Sequence, residues 1–317
     1  MTAHAEQALP ISVPPDRAEV EARLHDGRFF WLDLHSPGEA EFALLRDVFR
    51  FHELALEDSE DFHQRPKLED YDDFVFLVVY GAVPDEDLLV EVHCFYSERF
   101  LVTVHHDDCP AFAELRKRLG RAHAAREPAL VLHAVVDALV DSFFPIVSSL
   151  DDRFDELEDS IFVHPSDEQL KELFALKRQL VGLRKAVTPQ RDLFATLSNE
   201  IETLPGMTPE ARRAFRDVYD HLIRISDLVD SYRDLLTGAM DVYLSTVSNR
   251  LNVVMKQLTV IATIFLPLTF LVGFFGQNFG WMVDHVGGMG AFFALGLGLE
   301  IVVALFVAGM FRRRGWF

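Results

Sequence analysis

From Leu258 to Gly276 the chain runs 19 residues without a charge. That is enough for one helix to cross the ~30 Å hydrocarbon layer of a membrane. This stretch constrains the fold more than any other, because in lipid the backbone must satisfy itself within a helix or a closed barrel. Its polarity is uneven around the helix. Asn252, Met255, Thr259, Ala262, Leu266, Thr269 and Gly273 recur at steps of three and four, with most of the bulky apolar residues between them. The spacing predicts a helix face that meets copies of itself around an axis. Read from composition alone, the same small and hydroxyl residues also suit ordinary helix packing.

A second apolar run, 286–311, is interrupted only by Glu300 and ends in Arg312, Arg313 and Arg314. The loop between the two runs holds Asp284 and no Lys or Arg, so the positive-inside rule puts both chain ends in the cytosol. The first residues lack the basic start and apolar core of a signal peptide. The expected location is therefore the cytoplasmic membrane, with two spans and a large N-terminal part inside the cell. Lys and Arg number 30 against 50 Asp and Glu, a formal net charge of -20. That balance argues against nucleic acid as a partner and favours attraction of cations.

Upstream, residues 28–34 and 74–80 read as strands, the second covered on both faces, and 88–96 with 100–105 as a hairpin across residues 97–99. Ser36 is the expected N-cap of a helix running to about Phe49, and Pro110 opens another. A helix-flanked sheet follows, an α+β domain over 1–127, with residues up to about Arg17 poorly ordered. Helical periodicity covers 128 to about 162 and 166 to about 203, with Pro189 as a kink, giving a hairpin over 128–204. Thr208-Pro209-Glu210 is a strong helix start, and nothing ends that helix before Gly276. One helix of ~100 Å thus joins a stalk (205–256) to the first span (257–276). A loop (277–289), the second span (290–311) and a basic tail (312–317) complete the chain.

No nucleotide-binding glycine loop, nucleophile elbow or zinc-protease helix occurs, so the chain does not read as an enzyme. Cys94 and Cys109 have no metal or redox spacing. His105-His-Asp-Asp-Cys109 invites a zinc reading, but polar residues are ordinary at a strand end entering a loop.

Asn252-Val-Val-Met-Lys-Gln-Leu-Thr-Val-Ile-Ala-Thr-Ile-Phe-Leu-Pro-Leu-Thr-Phe270, then Gly276-Gln-Asn-Phe279, resemble the pore helix and closing Gly-x-Asn signature of the CorA family of divalent-cation channels. Phe215-Arg-Asp-Val-Tyr-Asp-His221 and Leu244-Ser-Thr-Val-Ser-Asn-Arg250 are similar to that family's stalk. The resemblance implies a homopentameric funnel whose first span lines the pore. It implies Asn252, Met255, Leu258, Thr259, Ala262, Leu266, Thr269 and Gly273 as pore-lining residues, and Gly276, Gln277 and Asn278 as the outer selectivity filter. A ring of Asn278 carbonyls suits a hydrated dication, since Mg²⁺ gives up its water reluctantly; Asn278 is alternatively a plain helix end. Arg312, Arg313 and Arg314 match a basic ring at the inner mouth, or serve only as a stop-transfer anchor.

Among the stalk carboxylates, Asp217 and Asp241 match acidic positions, Asp217 one that holds regulatory Mg²⁺. The resemblance gives Glu300 no role. No prosthetic group is implied; a divalent cation is substrate and regulator, and the partners are further copies of the chain and lipid. Gln277 stands where magnesium-transporting members usually carry Met, so Mg²⁺, Co²⁺ or Ni²⁺ transport and ZntB-like zinc transport both remain open. A two-span sensor or scaffold without flux is the alternative of another class.

Overall fold

The structure is a computed structural model that describes residues 12–83, 88–119, 127–163, 165–199, 204–277 and 279–316. The chain forms two compact units, 1–240 and 241–317.

The first unit is built on a six-stranded mixed sheet: β1 (Ser12–Val13), β2 (Phe30–His35), β3 (Lys67–Asp70), β4 (Val75–Val83), β5 (Leu88–Tyr96) and β6 (Phe100–His105). The spatial order is β1-β2-β6-β5-β4-β3. β1, β2 and β6 run parallel, and the rest are antiparallel. The 88–96/100–105 hairpin forms as its alternation predicts. Phe76, Leu77, Val78 and Val79 on β4 are all fully buried, as a nearly continuous apolar run requires. Around the sheet lie α1 (Arg17–Asp26), α2 (Glu39–Asp47), α3 (Glu53–Asp61), α4 (Pro110–Leu119), α5 (Pro128–Asp141), α6 (Phe143–Val163) and α7 (Asp167–Ser198).

The free edge of β4 shows how helices and sheet lock together. β3 pairs with β4 only up to Val78, so Tyr80 and Ala82 need other partners. The buried Gln190 side chain accepts from the Tyr80 N–H (2.6 Å) and donates to its carbonyl (3.2 Å). The Ser142 hydroxyl accepts from the Ala82 N–H at 2.7 Å. Gly81 lets α5 close on the strand, since a Cβ there would stand 2.7 Å from Leu139.

Several boundaries differ from the sequence expectation. Ser36 does not cap α2: it has φ 48, and its hydroxyl bonds His106 at 3.2 Å. Gly38 occupies the cap, with Glu41 accepting its N–H. Ser12 and Val13 are ordered against Trp31 and Leu32, and Asp16 caps α1; residues 1–11 lie outside the described set. The 128–162 helix is broken at Ser142, where Pro145 withholds the donor for the Asp141 carbonyl. α7 starts at its expected Ser166 cap, which holds the Gln169 N–H, but stops at Ser198; residues 200–203 lie outside the described set.

Helix α8 (Pro209–Phe275) is continuous over 67 residues, with Thr208 Oγ accepting the Ala211 N–H and Pro267 inside it. The expected loop after it contains a short helix, α9 (Gly280–His285), and the last helix, α10 (Met289–Arg313), is π-helical over Phe292–Gly298. Among the described residues, three helical stretches are long and apolar enough to cross a membrane. In Pro128–Val163 half of the apolar stretch is buried within the chain, against 0% in α8 and 6% in α10. The α5–α6 stretch is therefore a core element: its apolar side packs into the sheet unit, and its other side carries Asp151, Asp152, Asp155 and Glu156.

Candidate functional site

Helix α8 has two unlike faces in the second unit. Lys256, Val260, Thr263, Ile264, Pro267, Leu268, Leu271 and Phe275 are partly or fully covered. They recur at steps of three and four, so they form one stripe. Val260 is buried with Val307 and Phe311 of α10, and Ile264 and Val303 pack on the same cluster. The predicted pore residues fall on the remaining surface. Asn252, Met255, Leu258, Thr259, Ala262, Leu266, Thr269 and Gly273 are all exposed in the single chain, Leu266 by 73%.

The hydroxyls on this uncovered surface are not wasted donors. Thr259 Oγ1 donates to Met255 O at 2.7 Å, and Thr269 Oγ1 to Phe265 O at 2.8 Å. Each proton is thus satisfied within the helix, and the oxygen's lone pairs stay directed outward as acceptors. That surface can offer oxygen to a cation while its neighbours Met255, Leu258 and Leu266 remain apolar.

At one end of α8 the chain turns. Gly276 N–H closes on Val272 O at 2.8 Å, and a Cβ on Gly276 would lie 2.9 Å from that oxygen, so glycine is required for the tight exit. Gln277 is exposed; Asn278 lies outside the described residues. At the other end, Arg312, Arg313 and Arg314 are exposed at the C-terminus of α10, where cations suit the helix dipole. Lys256 joins them: its Nζ donates to Gly315 O at 3.4 Å and lies 5.8 Å from the Trp316 ring. Only the folded antiparallel pair reveals this extra basic residue.

In the first unit Asp217 meets a cluster that the linear sequence hides. One ligand atom each from Asp137, Asp141 and His221 lies within 4.8 Å of the others. His221 Nδ1 is 3.1 Å from Asp141, although off hydrogen-bond geometry, and Nε2 is 3.9 Å from Asp217. The spacing Asp137/Asp141 on α5 and Asp217/His221 on α8 puts each pair on one helix face. That periodicity was available in the sequence, but not the fact that α5 packs on α8. Burial and the charge of Asp141 hold the Asp137 carboxyl above the usual range. Burial keeps neighbouring His133 below the ordinary histidine value. A dication here would relieve the first effect, since it offsets carboxylate repulsion. Asp241 is exposed and more than six turns further along α8, so it belongs to no common site with Asp217 in one chain.

The structure gives the His105 motif a structural role. His105 Nδ1 donates to the Asp107 carbonyl (2.7 Å), and Nε2 lies 3.2 Å from Asp33. Asp33 also accepts from Thr103 and Arg116, and Trp31 donates to Thr103 at 2.9 Å. Burial pushes the Cys109 thiol up to about 12 and raises Cys94 as well, which leaves both unreactive.

A mixed-sheet unit and a pair of membrane-length helices, joined by one helix that enters both, define a two-span membrane protein. The family described as CorA-like Mg²⁺ transporter protein matches residues 26–313, and the chain belongs to it. It is 35% identical over 277 residues to the cobalt/magnesium transport protein CorA of Thermotoga maritima, covering 85% of this chain and 78% of that one. It is 28% identical over 236 residues to the zinc transport protein ZntB of Pectobacterium atrosepticum (74% and 70% covered). The complete structure of the CorA magnesium transporter from Methanocaldococcus jannaschii superposes with a TM-score of 0.81 at 26% identity, covering 92% of both chains. The family is one of transporters, and its named relatives carry divalent cations.

Proposed function

We propose that the chain assembles as a homopentameric channel of the cytoplasmic membrane that passes divalent cations, Mg²⁺ first, with both termini in the cytosol. The observation that carries this reading is the two-faced α8: Val260 and Ile264 pack with Val303, Val307 and Phe311 of α10, and the uncovered surface carries Asn252, Thr259, Ala262, Thr269 and Gly273 among exposed apolar side chains. Copies of the chain around an axis would bring that surface together as a pore. Gly276, Gln277 and Asn278 then form the outer mouth. A dication falling through 100 mV gains about 4.6 kcal/mol, twice the single-charge value, so entry needs no energising domain. Arg312, Arg313 and Arg314, joined by Lys256, form a basic ring at the inner end.

The proposed regulatory cation sits at Asp217 with Asp137, Asp141 and His221. A second acidic position, Asp241, lies lower on the stalk. Zinc is the second reading, favoured by the similarity to ZntB and by Gln277. The test is uptake into proteoliposomes under an imposed voltage, comparing Mg²⁺, Co²⁺ and Zn²⁺ for the natural chain and Asn278→Ala. Voltage-driven Mg²⁺ uptake that Asn278→Ala abolishes is expected. Zinc uptake without Mg²⁺ uptake moves the chain to the second reading, and no uptake of any ion leaves it a two-span scaffold.

A further inference from the structure

The end of α10 is locked by its own backbone. Gly315 takes φ 67, a conformation that strains any residue with a Cβ. Its N–H donates to Arg312 O at 3.2 Å, and the Trp316 N–H donates to Phe311 O at 3.0 Å. The Trp316 ring packs on Phe311 with 5.2 Å between centroids, which completes a Schellman stop. The basic run therefore falls at a fixed rotation. Counting about 100° per residue, Arg314 lies between Val303 and Val307, on the side that packs against α8. By the same count Arg312 lies between Ile301 and Leu305, and Arg313 between Val302 and Phe306. Those four apolar side chains are 58–73% exposed.

The three arginines thus belong to two surfaces. Arg314 shares its side with Lys256, whose Nζ reaches Gly315 O and the Trp316 ring. Arg312 and Arg313 close the outer stripe of α10. On α8, Val260 and Ile264, which cluster with Val303 and Val307, lie about 160° round the helix from the centre of the predicted pore face. Hence α10 stands behind α8 as seen from the proposed axis, and its outer stripe is turned away from the pore. Nor does the 241–317 unit supply these two side chains with a counter-ion. Its carboxylates are Asp241, Asp284 and Glu300. Asp284 is in α9, at the opposite end of the spans. Glu300 is roughly 18 Å back along α10, and Asp241 roughly 22 Å from Lys256 along α8.

We propose that Arg312 and Arg313 bind the headgroup of an anionic phospholipid in the cytoplasmic leaflet, with Ile301, Val302, Leu305 and Phe306 against its acyl chains. Such a lipid offers both parts that the surface asks for, a chain for the stripe and a phosphate for its end. Each guanidinium can donate two N–H groups to phosphate oxygens, and its apolar stem can lie along the stripe while the charge reaches headgroup level. The negative potential of that leaflet favours the same placement. This deepens the channel reading, and it rests on that reading for the axis from which the outer stripe is turned. The basic cluster at the inner end then has two partners: lipid on its outer side, and on its inner side the mouth faced by Arg314 and Lys256.

The test counts bound lipids by native mass spectrometry on the full chain in detergent, titrated with phosphatidylglycerol or with phosphatidylcholine. The natural chain is expected to prefer phosphatidylglycerol. Arg312→Gln with Arg313→Gln should lower that preference roughly tenfold, and Arg314→Gln should leave it within about twofold. Arg312→Lys with Arg313→Lys keeps the charge and should retain part of the preference, which shows that the Gln pair fails for want of charge and not of fold. An unaltered preference in the Gln pair, or an equal loss in Arg314→Gln, overturns the proposal. So does displacement of the lipid by inorganic phosphate where chloride of equal ionic strength has no effect, since the site would then take the bare anion. The count needs no ion flux. A preference that follows Arg312 and Arg313 in a chain that passes no ion in proteoliposomes sinks the channel reading and leaves the lipid site standing.

Discussion

The two units treat their polar and apolar atoms in opposite ways. In the sheet unit, buried groups find partners inside the same chain: Asp33 accepts from Thr103, His105 and Arg116, and Glu91 accepts from the His63 and Gln64 N–H groups at 2.7 and 2.8 Å and contacts His93 at 2.8 Å. In the 241–317 unit, large apolar side chains such as Leu266 and Phe306 are each 73% exposed. The first unit pairs these groups among its own residues. On our reading, the second is half a structure whose remaining partners are lipid and other copies.

The sharpest break in this comparison is Asp33→Ala. It leaves His105 and Arg116 without their shared acceptor, so the sheet unit is expected to lose about 3 kcal/mol. Hydrogen exchange of the β2 and β6 amides in the full chain would measure it. A loss below about 1 kcal/mol would mean that the sheet unit does not depend on its internal pairings.

Next in size is removal of the proposed regulatory cation. Mg²⁺ at about ten times its dissociation constant is expected to protect the natural chain against proteolysis by about 1.4 kcal/mol. Asp217→Ala should lose most of that protection. Equal protection in the two proteins would remove Asp217 from the proposed site. The comparison gains from this test, because this cluster of the sheet unit leaves carboxylates incompletely paired.

A smaller effect separates the two faces of α8. Val260→Ala opens the contact with Val307 and Phe311, and α10 amides are expected to exchange faster by the equivalent of about 1 kcal/mol. Leu266→Ala removes a side chain that α10 does not cover, so α10 protection should stay put while ion uptake changes. The reverse result would exchange the roles of the two faces.

These contrasts explain how much could be read in advance. Local signals survived folding: the Thr208-Pro209 start, the Ser166 cap, the 88–105 hairpin and the charge-free stretch all stand in the structure. Ser36 failed as a cap because a tertiary partner, His106, took its hydroxyl. The Asp137, Asp141 and His221 cluster needs α5 laid on α8, and Lys256 needs α10 folded back, neither of which has a local signature. The uncovered face of α8 was legible for the opposite reason. A surface that intrachain packing leaves uncovered, and that on our reading other copies complete, keeps its periodicity in the sequence undisturbed.

The smallest effect is one of pH, and it belongs to the sheet unit. Burial alone would lower His105, but its bond to Asp33, the Asp33 charge and the Asp107 carbonyl outweigh it, so its folded value lies above the ordinary histidine range. Arg116 opposes this only in part. The folded state therefore holds the proton more tightly than the unfolded chain does, and the stabilisation is complete below about pH 6.5. As pH rises through the folded value that contribution disappears, because stability falls wherever the native state binds more protons. As pH rises from about 6.5 through the folded value, the β6 amides are thus expected to lose protection. His105→Gln should flatten the slope while lowering the whole curve. A slope that rises with pH, or one that persists in His105→Gln, would mean that the Asp33 pair is held by the arginine and threonine alone, and that the ring between them is packing and not charge.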